Sequence, residues 1–197
     1  MSTVGHIDLV LIHPGNRSDI YQSLGTELSA IQPPIWAGML ATFVRRQGYS
    51  VFILDAEAEN LNPQQVGEWI GYLKPLLAGI VVYGNQPSAS TQNMTAAGEI
   101  CTSIKHVGKG AKSILIGGHV TALPEQTLSE EDVDFIAVGE GPYTISDLLE
   151  ALKTGEEDFT KVRGLCYREA CEVKRTSPAP LVINLAEEIP ELAWDLL

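Results

Sequence analysis

The sequence predicts an α/β fold in which a parallel β-sheet carries helices on both faces. Short apolar runs alternate five times with segments of helical periodicity, which is the pattern of repeated strand–helix units. The runs are apolar throughout rather than alternately polar, as expected for strands that are covered on both sides. Several of them end abruptly at glycine or proline, where a strand turns into a loop. Together these observations favour a layered α/β domain.

The predicted strands set the topology of the sheet. They lie at residues 7–13, 51–54, 78–83, 113–116 and 135–138. Right-handed crossover connections leave few arrangements, and a five-stranded parallel sheet favours the flavodoxin-like (Rossmann-like) order 2-1-3-4-5. In this order the exits of strands one, three, four and five surround one crevice at the carboxyl edge of the sheet.

Helix signals fill the gaps between the strands. Pro33-Pro34 is suited to the first turn of a helix, and the apolar stripe that follows is formed by Trp36, Met39, Leu40, Phe43 and Val44. We expect this stripe to pack on the sheet. Asn62 and Gln65 predict a capping box at the start of the second helix, and Pro75 halts that helix. Further helices are predicted after Ser90, at Pro124 and around Ile145.

Composition and charge exclude several classes of function. The chain has 197 residues, of which 45% are hydrophobic, and 13 basic against 25 acidic residues give a net charge of −12. This balance argues against nucleic acid and anionic membranes as partners, since both attract basic patches. No apolar run approaches the ~18 residues of a membrane span, and no secretory signal is evident. With only three scattered cysteines, we expect a cytoplasmic location.

The character of the sequence changes near residue 155. Residues 162–168 and 173–176 predict a small hairpin, and a proline-rich acidic stretch with linker composition follows. We therefore expect an α/β domain at residues 1–154, and a hairpin and linker at residues 155–197.

Two glycine-rich strand exits form the best candidate ligand site. Gly117-Gly118 closes the fourth strand, and Gly139-Glu140-Gly141 closes the fifth. Ligands of open α/β sheets collect at such carboxyl ends, and glycine lets the backbone approach a ligand closely. The alternative is that both sequences are merely tight turns between a strand and a helix.

Polar residues near these exits allow more than one role. The imidazole of His119 either lines a ligand pocket or forms a hydrogen bond with the loop backbone. The carboxylate of Glu140 accepts hydrogen bonds either from a ligand hydroxyl or from amides of the helix that begins near Pro142. Asn85, Gln86 and Ser88 offer neutral donors and acceptors after the third strand, which suits an uncharged polar ligand rich in amides.

Common catalytic and metal motifs are absent from the sequence. We find no phosphate loop, no G-x-G-x-x-G after the first strand and no G-x-S-x-G elbow. Cys166 and Cys171 are separated by four intervening residues and have no further soft ligand nearby, so a zinc site is not expected. We assign no catalytic residue and no metal ligand.

Taken together, these sequence features carry a specific resemblance. They are Pro33-Pro34 with Gly38, Gly48-Tyr49, Leu54-Asp55-Ala56, residues 117–125 (GGHVTALPE), Val133-Asp134-Phe135, Gly139-Glu140-Gly141, and residues 164–168 and 193–196. The chain resembles the amino-terminal cobalamin-binding domain of cobalamin-dependent radical S-adenosylmethionine enzymes, from about His6 onward.

The resemblance implies a cobalamin at the carboxyl edge of the sheet. Its nucleotide tail would pass between the loop at residues 85–88 and the turns at Gly117 and Gly139. The implied cofactor-binding residues are Pro14, Asp55, Asn85, Gln86, Ser88, Gly117, Gly118, His119, Thr121, Gly139, Glu140, Gly141 and Tyr143.

Two departures qualify what the resemblance implies. Cobalamin mutases carry D-x-H-x-x-G after strand one, with the histidine on cobalt. Residues 13–18 do not match it, so we expect base-off cobalamin without a histidine ligand. The C-x-x-x-C-x-x-C motif of radical chemistry is also absent. S-adenosylmethionine and the [4Fe-4S] cluster would therefore belong to a carboxyl-terminal radical S-adenosylmethionine domain outside this chain, as in a methyltransferase.

Two other functions remain open from the sequence. A domain of this fold that has lost its cofactor would act as a structural or docking platform, with bulky residues such as Trp36, Tyr83 or Tyr143 filling the pocket. A flavin- or phosphate-binding protein is disfavoured, because no Ser/Thr/Gly-rich loop follows the first strand.

Overall fold

A computed structural model describes residues 6–15, 31–83, 87–108, 110–155, 158–170 and 172–197. The sequence of residues 16–32 is polar and weakly periodic, which predicts a long loop after the first strand. This segment lies almost wholly outside the described residues, as do Asn85 and Gln86. The described chain forms one sheet with helices on both faces.

The parallel part of the sheet has the predicted order. Its strands are β1 (Leu9–His13), β2 (Val51–Asp55), β3 (Leu77–Val81), β4 (Lys112–Ile116) and β5 (Phe135–Ala137). They are arranged as β2-β1-β3-β4-β5, with every neighbouring pair parallel. The carboxyl ends of all five therefore lie along one edge, which we call the carboxyl edge.

The prediction of a five-stranded, purely parallel sheet was wrong in strand count. The hairpin strands β6 (Leu165–Glu169) and β7 (Glu172–Arg175) extend the sheet to seven strands, in the order β2-β1-β3-β4-β5-β6-β7. β6 pairs antiparallel with β5, and Cys166 lies opposite Ile136. The free edge of β5 would otherwise expose unpaired N–H and C=O groups, so pairing with the hairpin satisfies them.

Helices cover both faces of the sheet, as predicted. The longer ones are α1 (Ile35–Arg46), α2 (Pro63–Leu73), α4 (Met94–Val107) and α7 (Pro142–Thr154). The shorter ones are α3 (Pro87–Gln92), α5 (Gly118–Ala122), α6 (Pro124–Glu130) and α8 (Leu185–Glu188), with 3-10 turns at Phe159–Lys161 and Trp194–Leu196. The capping box of Asn62 and Gln65 is present at the start of α2. The sequence did not predict α5.

Alternation along each strand divides the core into two layers. Leu9 and Leu11 of β1 pack with α1 and α7, whereas Val10 and Ile12 pack with α2 and α4. All four side chains are fully buried, which explains why strands of this sheet are continuously apolar.

The segment after β7, residues 176–197, folds back over the domain and is called the tail here. The Val182 N–H donates to Glu140 Oε2 at 2.7 Å, where the tail crosses the carboxyl edge. Farther along, Leu192 packs against Gly38 of α1, and Asp195 pairs with Arg45 at 2.8 Å. Within the described residues, no helix is long and apolar enough to cross a bilayer.

Candidate functional site

The exits of the parallel strands converge at the carboxyl edge. His13 ends β1, Tyr83 lies two residues beyond β3, and Gly117 and Gly139 follow β4 and β5. Because β1, β3, β4 and β5 are successive neighbours in the sheet, these residues form a continuous row. This row is the place where α/β proteins bind ligands.

Two of the predicted site glycines are needed for close packing. A Cβ added to Gly117 would lie 2.6 Å from Val82 Cγ2 and 2.8 Å from the Val82 carbonyl oxygen. A Cβ on Gly141 would lie 2.9 Å from Ile116 Cγ2, and the residue also has a φ of +100°. Both glycines therefore act inside the protein, where they let strand exits and helix starts approach one another.

Two other glycines leave room for a side-chain atom. Among the described residues, the atoms nearest to a Cβ added to Gly118 would be those of Ser90, at 3.8 Å, and a Cβ on Gly139 would meet nothing within 4 Å. Gly139 has a φ of +114°, a conformation that L side chains rarely adopt. The exits of the adjacent strands β4 and β5 thus both present accessible backbone.

Thr121 connects these two exits. Its hydroxyl oxygen accepts the Gly139 N–H at 3.2 Å and lies 3.2 Å from the Gly139 carbonyl oxygen, to which it donates. The residue belongs to α5, so this contact fixes the turn after β5 against the helix after β4. Its contact with a cofactor remains a prediction.

His119 is held by the helix that follows β3. Its backbone N–H donates to Ser90 Oγ at 3.0 Å, and its Nδ1 lies 3.0 Å from Thr91 Oγ1. The ring therefore contacts a side-chain hydroxyl rather than the loop backbone that the sequence suggested. The imidazole is partly exposed, which leaves it accessible at the carboxyl edge.

Three other predicted site residues have partners inside the protein. Asp55 Oδ1 accepts the N–H groups of Glu57 and Ala58, at 3.1 and 3.0 Å, in the turn after β2. Glu140 accepts the N–H of the tail, not amides of α7, and Tyr143 donates to Glu188 of the tail. These contacts give each residue a structural role, and their roles in cofactor binding remain predictions.

The remaining predicted residues follow β1 and β3. Pro14 is buried directly after β1. The preceding residue, His13, lies with its Nε2 3.6 Å from Glu57 Oε2. Ser88 belongs to α3, but its side chain is outside what the structure describes, as are Asn85 and Gln86.

The two cysteines that the structure describes are not exposed at this edge. Cys101 and Cys166 are both buried, and burial raises the pKa of each thiol. Such thiols are protonated and poor nucleophiles at neutral pH. In the portion of the chain that the structure describes, no group of three or more His, Cys, Asp or Glu residues is placed to hold a metal ion.

The two members of an aromatic pair at this edge were predicted from the sequence only as residues that would fill the pocket of a domain without cofactor, and not as cofactor-binding residues. The rings of Trp36 and Tyr83 stack with centroids 4.6 Å apart and planes at 26°. The apolar stripe of α1 predicted that Trp36 packs on the sheet, yet its exposed fraction is 46%. Trp36 lies in the first turn of α1, beyond the ends of the strands, so the sheet does not cover it. Its position two residues after Pro34, in the first turn of the predicted helix, was the signal in the sequence.

Comparisons with known proteins support a specific class of domain. The chain is 32% identical over 190 residues to an uncharacterized methyltransferase of Pyrococcus horikoshii, which covers 96% of this chain and 38% of the relative. It is 29% identical to an anaerobic magnesium-protoporphyrin IX monomethyl ester cyclase of Rubrivivax gelatinosus, covering 96% of this chain and 32% of the relative. The chain thus spans about a third of the length of these relatives.

Solved structures share the fold. The cobalamin-dependent S-adenosylmethionine radical enzyme OxsB with aqua-cobalamin bound matches 98% of this chain and 25% of its own, with a TM-score of 0.73 and 20% identity. The radical S-adenosylmethionine methyltransferase TsrM of Kitasatospora setae, with cobalamin and a [4Fe-4S] cluster, matches 89% of this chain and 30% of its own, with a TM-score of 0.67 and 18% identity. The family model of the B12 binding domain matches residues 21–149, which include α1 and every parallel strand after β1. The chain belongs to the B12-binding domain family.

Proposed function

We propose that this chain binds cobalamin at the carboxyl edge of its sheet. The observation that carries the proposal is the open backbone at Gly118 and Gly139, on the exits of two adjacent strands of a B12-binding domain. A ligand can approach this backbone closely because no Cβ stands in the way. When bound, cobalamin supplies a cobalt centre that carries a methyl group or changes its redox state.

The residues at this edge fit the chemistry of the cofactor. Cobalamin is rich in neutral amide side chains and carries a slender nucleotide tail, which need neutral hydrogen-bonding groups and a narrow path. His119 supplies a partly exposed imidazole, and Gly118 and Gly139 supply the open path. Asn85, Gln86 and Ser88 are proposed to add polar contacts from the exit of β3.

We further propose that cobalt has no histidine ligand from this chain. His13 lies beside Glu57, and the Nδ1 of His119 is engaged by Thr91 at 3.0 Å. Both rings thus have partners within the domain. The sequence after β1 also lacks the D-x-H-x-x-G motif. The missing motif supports a base-off state, whereas the contact with Thr91 engages only Nδ1 of His119 and leaves its Nε2 to the spectral test below.

The likeness to longer relatives supports a role within a larger enzyme. We propose that the α/β domain at residues 1–154 carries the cofactor, and that residues 155–197 lead toward a radical S-adenosylmethionine domain. That domain would hold S-adenosylmethionine and the [4Fe-4S] cluster, as in a methyltransferase. The names of the Pyrococcus horikoshii relative and of TsrM favour this reaction class.

Binding of cobalamin is tested directly on the purified 197-residue chain. Anaerobic titration with hydroxocobalamin or methylcobalamin, followed by desalting, is expected to leave about one cobalamin per chain with a base-off absorbance spectrum. Loss of all cobalamin on desalting would contradict the proposal. It would favour the docking-platform alternative, in which Trp36 and Tyr83 occupy the edge without a ligand.

The absence of a histidine ligand gives a separate prediction. Replacing His13 or His119 by glutamine is expected to leave the absorbance spectrum of bound methylcobalamin unchanged, whatever happens to the affinity. The physical reason is that a ligand exchanged at cobalt alters the spectrum, whereas a changed contact at the periphery does not. A spectral shift in either variant would identify that histidine as the cobalt ligand.

A further inference from the structure

We propose that Trp36 and Tyr83 form an aromatic platform that contacts the flat face of the corrin ring. This inference rests on the proposed function and names two binding residues for the same site. Neither was among the cofactor-binding residues predicted from the sequence. Tyr83 is held in a fixed orientation, Trp36 is exposed, and both lie at the carboxyl edge.

Tyr83 is anchored at both ends. Its backbone follows β3, near the middle of the sheet, and its phenol donates to the Gly139 carbonyl oxygen at 3.4 Å. The side chain therefore reaches across the exit of β4 to the exit of β5. Trp36 stacks on this ring from the start of α1. The plane of the pair is thus set by contacts with three separate elements.

Trp36 presents a flat apolar surface that the described part of the chain leaves partly uncovered. Its exposed fraction is 46%, and those of Ile31 and Ile35 are 47% and 51%. These apolar side chains precede and open α1, beside the same edge. Burial of a large aromatic ring away from water is favourable, so a ligand that covers the Trp36 ring gains hydrophobic stabilisation. The corrin macrocycle is flat and apolar across its face, so it matches such a surface.

The platform also explains how an aromatic residue can lie near the ring without binding cobalt. Burial, with the nearby carboxylate of Glu140, raises the pKa of Tyr83, so its phenol stays neutral at physiological pH. Its hydroxyl is directed to Gly139, and one face of its ring is covered by Trp36. Trp36 has no lone pair to donate. Both residues offer contact area rather than a ligand atom.

The chain contains a second exposed aromatic pair that serves as a matched control. Trp69 and Tyr72 contact each other edge to face, with centroids 6.1 Å apart, and their exposed fractions are 39% and 66%. They lie in the second half of α2. Because α2 leaves the carboxyl edge after β2 and runs back, this pair lies toward the opposite edge of the sheet.

The test compares cobalamin with cobinamide, the corrinoid that lacks the nucleotide tail. Trp36→Ala is expected to weaken both by the same factor, about tenfold, because it removes a stacking contact with the ring common to both. Trp36→Phe should restore most of the affinity, and Trp69→Ala should change neither. Affinities are measured by absorbance titration of the full chain, with urea unfolding as a check on the fold.

The outcomes separate this inference from the proposed function. Wild-type affinity in Trp36→Ala, a loss confined to cobalamin, or a wild-type chain that binds cobalamin but no cobinamide would each overturn the platform alone. Failure of the wild-type chain to bind cobalamin would overturn the proposed function and the platform together. An equal loss in Trp69→Ala would also overturn the platform, since the effect would not be specific to this edge.

Discussion

Replacing Gly118 by leucine is expected to abolish retention of cobalamin, with a loss of affinity of at least about 100-fold, while the domain stays folded. The position tolerates a Cβ, because the nearest atoms are those of Ser90 at 3.8 Å. A leucine side chain would extend from there into the space at the exit of β4, where the nucleotide tail is proposed to pass. A steric block in a preformed site removes binding without a compensating contact.

The measurement for Gly118→Leu is desalting after titration with hydroxocobalamin, beside a urea unfolding curve. Gly118→Ala is the graded control, since its single methyl group fits the available space and should cost little affinity. Full retention of cobalamin by the folded leucine variant would show that the tail does not pass this glycine. Loss of the folded state would contradict the open packing around Gly118.

Most of the fold was predictable because each parallel strand carries its own signal. The continuous apolar runs of β1, which ends at His13, and of β4, which ends at Ile116, identified buried strands, and the crossover rule then favoured their order. The hairpin was predicted but not its place. Joining the sheet depends on which edge strand is left unpaired, and nothing local to Cys166 or Tyr167 encodes that β5 is this strand.

The location of the candidate site was predictable from the sequence, but the role of each of its residues was not. Gly117 and Gly118 give the same signal in the sequence, although the first packs tightly on Val82 and the second leaves room for a Cβ. That difference depends on β3, more than thirty residues away. Glu140 likewise meets the tail at Val182, a partner that no spacing rule could indicate. Packing between residues that are distant in the sequence therefore decides which of the predicted site residues can contact a ligand.

Replacing Gly117 by alanine is expected to destabilise the domain by about 1–3 kcal/mol, in contrast to the same change at Gly118. The φ of Gly117 is 164°, extended backbone that any residue adopts, so the cost is steric. The new methyl group would lie 2.6 Å from Val82 Cγ2 and 2.8 Å from the Val82 carbonyl oxygen. The Val82 N–H donates to the Ile116 carbonyl oxygen at 2.8 Å, so relief of the clash would strain the pairing of the β3 and β4 exits.

Urea unfolding followed by circular dichroism tests this contrast between neighbouring glycines. Gly117→Ala should unfold at a lower urea concentration than the wild-type chain. Gly118→Ala should be neutral or slightly stabilising, because Gly118 starts α5 and alanine has the higher helix propensity. Equal stability of the two variants would contradict the close contact with Val82. If Gly117→Ala loses only stability and Gly118→Leu loses only cobalamin binding, then Gly117 is needed for the packing of the domain and Gly118 for access of the ligand.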